Sequence, residues 1–86
     1  MDQIDKKRPV HVVINPHSGY GGQRILLADL RAAIRDQGME AVEYTTRAPR
    51  DATRYVREIA SEASAVIVWG GDGTANEVAA GLAGTD

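Results

Sequence analysis

Three short runs rich in branched apolar residues, PVHVVIN (9–15), AVEYT (41–45) and AVIVW (65–69), are each followed by a stretch of helical character. This alternation constrains the chain more than any other feature. Strands joined by helices pair in parallel, through right-handed crossovers that lay the helices on the sheet faces. The first run ends at Asn15-Pro16, where a residue without an N–H stops the ladder. Between Gln23 and Gln37, Leu26, Leu30, Ala33 and Ile34 recur at helical spacing, and Gly38 follows as a stop. A polar turn around Pro49 leads to Asp51, at the place of a helix N-cap, and Ala52, Tyr55, Val56, Ile59, Ala60 and Ala63 then form one amphipathic stripe. The run 65–69 lacks alternation, which predicts a parallel strand buried on both faces, and a third helix is predicted over Thr74 to Leu82. The fold class is α/β, three βα units with a parallel sheet, and at least one sheet edge is expected to be open.

A length of 86 residues makes one small domain or a piece of a larger one. Hydrophobic residues at 43% and charged residues at 26% exclude a disordered tail and a collagen-like chain. The longest apolar run, Ala63 to Trp69 broken by Ser64, is far short of the roughly 20 residues that span a bilayer. The opening MDQIDKKRPV has no apolar segment of the secretory kind, so the chain is placed in the cytoplasm. A net charge of -2 argues against a non-specific nucleic-acid binder, and Lys6-Lys7-Arg8 reads as a solubilising lead-in to the first strand. With no cysteine there are no disulfides, thiolate metal sites or cysteine nucleophiles. His11 and His17 lack partners at metal-ligand spacing, which excludes zinc, and His11 reads as a hydrogen-bonded sheet residue. Arg31, Arg35, Arg54 and Arg57, alternating with acids, read as solvated helix surface; Arg47 and Arg50, flanking the loop after the second strand, read better as a solvated turn than as phosphate contacts.

Ligands of parallel α/β sheets bind beyond the carboxyl ends of the strands. Two loops rich in small residues lie there: Asn15-Pro16-His17-Ser18-Gly19 after the first strand and Gly70-Gly71-Asp72-Gly73-Thr74 after the third. Glycine lets a phosphate approach the backbone, and the helix that follows offers free N–H groups and the positive end of its dipole. Ser18 and Thr74 add hydroxyls, so the pair of loops suggests a polyphosphate site. No lysine follows any glycine, which excludes a Walker loop, and Arg24 occupies the place where a dinucleotide fingerprint needs its last glycine. Asp72 would repel a phosphate unless a cation such as Mg²⁺ stood between them. An Asp-Gly pair is also a common turn; set between Gly71 and Gly73-Thr74, after a buried strand, Asp72 reads better as the cation's partner.

GGDGTANEV (70–78) together with INPHSG (14–19) resembles the catalytic domain of diacylglycerol kinases, sphingosine kinases and YegS-like lipid kinases. GGDGT alone is shared with NAD kinases and, loosely, phosphofructokinases; the Asn-Pro-x-Ser-Gly loop and the Asn-Glu pair narrow it to lipid kinases. YTTRAPRDAT looks like the family's nucleotide-contacting stretch, with Thr46 at the motif threonine, and the resemblance runs through all 86 residues. It implies an NAD kinase/diacylglycerol kinase-like fold and an ATP site comprising Asn15, Pro16, His17, Ser18, Gly19, Thr46, Gly71, Asp72, Gly73, Thr74, Ala75, Asn76 and Glu77. It assigns Asp72 to the Mg²⁺ and phosphate network and makes it the catalytic candidate. Ala75, where the family commonly has leucine, and the large Trp69 before the glycines are departures.

The resemblance further implies that residues 1–86 are the amino-terminal, ATP-binding part of a longer catalytic domain, with the acceptor pocket in a following β-rich domain. The expected activity of the complete protein is transfer of the ATP γ-phosphoryl group to a lipid hydroxyl, in phospholipid metabolism and with peripheral contact at a membrane. An NAD kinase-like phosphotransferase and a non-catalytic nucleotide-binding fragment are the alternatives.

Overall fold

The structure, a computed structural model, describes residues 7–16 and 23–84. Its elements run β1 (Val10–Ile14), α1 (Gln23–Asp36), β2 (Ala41–Thr45), α2 (Asp51–Ile59), β3 (Ala65–Trp69) and α3 (Asp72–Ala83). The strands form one parallel sheet in the order β2-β1-β3, with Val10 opposite Ala41 on one side and Ala65 on the other. This is the predicted α/β sheet of three βα units.

Side chains of β1 alternate between two cores, as the twofold period of a strand requires. Val10 and Val12 face α1, packing with Ile34, Leu27 and Leu30. Val13 faces α2 and α3, packing with Ala52, Val56 and Val78. The helices therefore cover both faces of the sheet, one on one side and a pair on the other. That pair is closely apposed: a Cβ on Gly81 of α3 would lie 2.9 Å from the Thr53 carbonyl oxygen and from Val56 Cβ of α2. The Thr53 hydroxyl also donates to the Glu77 carbonyl at 2.7 Å, tying the two helices by a polar contact.

Several sequence expectations are refined. β1, not β3, is the central strand: Val12 and Val13 are essentially inaccessible, whereas all five residues of β3 are half-buried. Among the described strands β3 pairs on one side only, and an unalternating apolar run reports coverage of faces, not place in the sheet. Asp51 does not cap α2. It is the helix's first residue, the N-cap position belongs to Arg50, and no side chain caps the helix. α2 closes at Ile59, earlier than the stripe reaching Ala63 predicts, and Arg8 donates from its guanidinium to the carbonyls of Ser61, Glu62 and Ala63 beyond it. Arg8 is thus a structural tie, not merely a solubilising charge. Gly38, after α1, has φ +75, the left-handed conformation that suits a helix stop.

His11 is buried at 2% exposure on the α2 face of β1. Its Nε2 lies 2.9 Å from Glu62 Oε2 and its Nδ1 2.5 Å from the Tyr55 hydroxyl. A carboxylate can only accept from Nε2–H, which leaves Nδ1 of the neutral ring to accept from Tyr55. The expectation of a hydrogen-bonded sheet histidine holds. Among the described residues no helix is long and apolar enough to cross a membrane.

Candidate functional site

The carboxyl ends of the three strands meet around Asn15. Its backbone N–H donates to the Trp69 carbonyl at 2.9 Å, and the Thr46 N–H donates to the Ile14 carbonyl at 2.8 Å, so both neighbouring loops leave in register with β1. Asn15 Nδ2 then donates to the Thr74 hydroxyl at 2.9 Å, joining the β1 loop to the first turn of α3. Thr74 is buried, and Gly70 lies directly against this pair. A Cβ there would come within 3.0 Å of Thr74 Oγ1 and 3.1 Å of Asn15 Cβ, so glycine is what permits the approach.

The turn between β3 and α3 is shorter than the sequence suggests. Asp72 and Gly73 are already the first residues of α3, with Gly71 as an extended N-cap whose side, having none, makes no capping bond. A Cβ on Gly71 or Gly73 would meet nothing within 4 Å among the described residues, whose packing does not demand glycine here; these positions leave a bare helix start. First-turn N–H groups without a side-chain cap, at the positive end of the dipole, attract an anion. Asp72 stands exposed beside them.

Next to this helix start is a cleft of ≈ 290 Å³ lined by Asn15, Thr46, Arg47, Ala48, Pro49, Thr74 and Glu77. Four predicted residues, Asn15, Thr46, Thr74 and Glu77, thus share one concavity although they come from three separate segments. Pro16 is exposed beyond β1, and Gly71, Asp72, Gly73, Ala75 and Asn76 are exposed along the start of α3, outside the lining. His17, Ser18 and Gly19 lie outside the described residues. Trp69 packs with the α1-side core, so its ring is neither a wall nor a lid of the cleft. Among the described residues its buried indole Nε1 finds no hydrogen-bond partner.

Arg47, Ala48 and Pro49 fall within the stretch read as nucleotide-contacting but were not singled out as site residues, and they form the wall opposite Asn15 and Thr74. The available signal was their place immediately after Thr46 at the carboxyl end of a parallel strand. This wall is held by Asp51. Its Oδ2 accepts from the Tyr44 hydroxyl at 2.7 Å and from the Arg47 backbone N–H at 2.9 Å, and its Oδ1 accepts from Arg54 at 2.6 and 3.1 Å. Those bonds, Tyr44 first and then Arg54 and the Arg47 N–H, favour the carboxylate and hold it down to about 2. Arg54 also donates to the Tyr44 hydroxyl at 2.8 Å and to Glu58 at 2.7 Å, so it lies on the exposed helix surface as expected and also supports the loop. Tyr44 stacks on Tyr55 with centroids 4.0 Å apart. Arg50, between Pro49 and Asp51, has φ 70, a left-handed conformation unusual for a residue with a side chain.

Among the described residues no group of three or more His, Cys, Asp or Glu could enclose a metal ion. A lone exposed Asp72 suits a cation held by one carboxylate, waters and ligand phosphates, which is the habit of Mg²⁺.

Residues 9–86 match the family model described as diacylglycerol kinase catalytic domain. A protein of Streptococcus pneumoniae serotype 4 named "Putative lipid kinase" is 40% identical over 76 residues, covering 83% of this chain and 24% of the relative. A protein of Cronobacter sakazakii named "Probable lipid kinase YegS-like" is 54% identical over 52 residues, covering 59% of this chain and 17% of the relative. The crystal structure of a diacylglycerol kinase from Bacillus anthracis superposes with a TM-score of 0.73 and 34% identity, over 90% of this chain and 28% of that one. The chain therefore spans about a quarter or less of the length of the curated relatives it matches. With residues 9–86 under that model and a matching fold, the chain belongs to the diacylglycerol kinase catalytic domain family.

Proposed function

We propose that the protein carrying this chain transfers the γ-phosphoryl group of ATP to a lipid hydroxyl, and that these residues bind the nucleotide. The observation that carries this reading is the juxtaposition of the Asn15–Thr74 hydrogen bond, the uncapped start of α3 and the exposed Asp72 carboxylate at one mouth. Phosphoryl transfer depends on positioning and on neutralising charge. The α3 first-turn N–H groups and Gly71 to Gly73 offer a surface on which phosphate oxygens are received. Asn15 and Thr74 fix that surface against β1, and Thr46 with its loop closes the opposite side. Asp72 is the residue that would hold Mg²⁺ together with the nucleotide phosphates, and the ion supplies the counter-charge that phosphate and carboxylate require.

The short coverage of the relatives supports placing residues 1–86 in the amino-terminal part of the catalytic domain, with the acceptor pocket in a following β-rich domain. That arrangement delivers the lipid hydroxyl from a membrane surface by peripheral contact. The names of the relatives favour a lipid acceptor over NAD⁺. In the protein carrying this chain, Asp72→Asn is expected to lower phosphoryl transfer to diacylglycerol in mixed micelles by about 100-fold or more. Near-normal turnover of that variant would remove Asp72 from its role. Phosphorylation of NAD⁺ with no lipid product would overturn the lipid kinase reading.

A further inference from the structure

The cleft is unevenly charged. Among the described residues Glu77 is the one carboxylate in its lining and Arg47 the one cation. The other lining groups are neutral, and the two lysines of the chain stand at positions 6 and 7, before β1. A polyphosphate entering here meets a repulsive carboxylate, so a cation on the opposite wall is needed for the site to favour an anion.

Arg47 differs from the other wired arginines. Arg8 is taken up by backbone carbonyls, Arg31 by Glu43, and Arg54 by Asp51, Glu58 and Tyr44. Among the described residues the Arg47 guanidinium makes no hydrogen bond or ion pair, yet its backbone is firmly placed. Its N–H is bound to Asp51 Oδ2 at 2.9 Å, and the preceding N–H, of Thr46, is bound to the Ile14 carbonyl at 2.8 Å. An anchored backbone with an unspent cation at a cleft is economical for binding, because the loop is ordered before the ligand arrives.

We propose that Arg47 contacts the phosphates of the bound nucleotide, and that Asp51 is the positioning residue that holds Arg47 at the cleft through its backbone N–H. The inference rests on the nucleotide reading of the cleft and adds to it a side-chain cation on the wall opposite Glu77. Asp51 touches no ligand in this scheme; it acts through the loop.

Binding to the protein carrying this chain tests the assignment by calorimetry with ATP, inorganic tripolyphosphate and adenosine. Arg47→Gln is expected to weaken ATP and tripolyphosphate about tenfold while leaving adenosine within about twofold, and Arg47→Lys to fall between. Asp51→Asn is expected to weaken ATP several-fold in the wild-type background and to add nothing to Arg47→Gln, the non-additivity of residues that act through one another. Unchanged ATP affinity in Arg47→Gln, or equal loss for adenosine, overturns the Arg47 contact. An Asp51→Asn effect of the same size in both backgrounds overturns the positioning role. If Asp51→Asn does not fold, the Arg47 variants still decide the contact. A wild-type protein that binds neither ATP nor adenosine overturns the nucleotide reading itself, and this contact with it.

Discussion

On one wall of the cleft, Asn15, Gly70 and Thr74 meet by the close approach of neutral groups, with a buried hydroxyl at the centre. On the other, Thr46 to Pro49 hang from a single carboxylate that gathers a phenol, a guanidinium and a backbone N–H. The first wall depends on shape and changes little with pH or salt. The second depends on charge and is exposed to both. A ligand gripped between them meets a stiff half that fixes its position and an adjustable half that reports solution conditions.

The largest effect is expected where shape decides. Gly70→Val drives a branched side chain into Thr74 Oγ1 and Asn15 Cβ, with a cost of about 2–3 kcal/mol read as a lowered melting temperature of the protein carrying this chain. A variant as stable as wild type would show that this wall is not closely packed. The charged wall should respond less to substitution and more to pH. The Asp51 carboxyl is held down in the folded state to about 2, below its unfolded value of about 3.9. Its stabilisation is therefore complete above about pH 4 and is lost as pH falls through about 2. Glu43, held low by Arg31, contributes in the same direction. Asp51→Asn is expected to cost about 1 kcal/mol at neutral pH and to flatten this part of the acid profile, so an unchanged profile would separate the loop from its carboxylate. The smallest effect is a gain. Arg50→Gly relieves the left-handed conformation at the start of α2 and should stabilise the fold by up to about 1 kcal/mol.

The stiff wall was largely legible in the sequence, because its parts are local: a strand ending at Asn15-Pro16, glycines after another strand, and a threonine one turn into a helix. Periodicity also placed all six elements, with boundaries displaced by a few residues at β1, α2 and α3. The charged wall was legible as a stretch, through Thr46, but the groups that support it were not. Asp51 has the identity and position of a cap, and only the fold shows its carboxylate turned back toward Tyr44 and Arg47. Arg54 has helical i,i+3 and i,i+4 partners that any exposed helix could offer, and its bond to the Tyr44 hydroxyl depends on where β2 lies. The central place of β1 was equally hidden, since strand order follows from crossovers and not from composition. Asp72, read as a loop residue, begins a helix because Gly71 and Gly73 tolerate helical and extended backbone alike.

The contact between α2 and α3 has a mechanical consequence. Gly81 admits the Thr53 carbonyl and Val56 so closely, and the Thr53 hydroxyl holds the Glu77 carbonyl so directly, that the helices share one frame. α2 begins with the residue that steadies the charged wall, and α3 carries Glu77 and a start without a side-chain cap. A shift of α2 against α3 would break the Thr53–Glu77 bond and press Val56 on Gly81, so Glu77 and the anchor of the charged wall are expected to move together, as one block beneath the cleft.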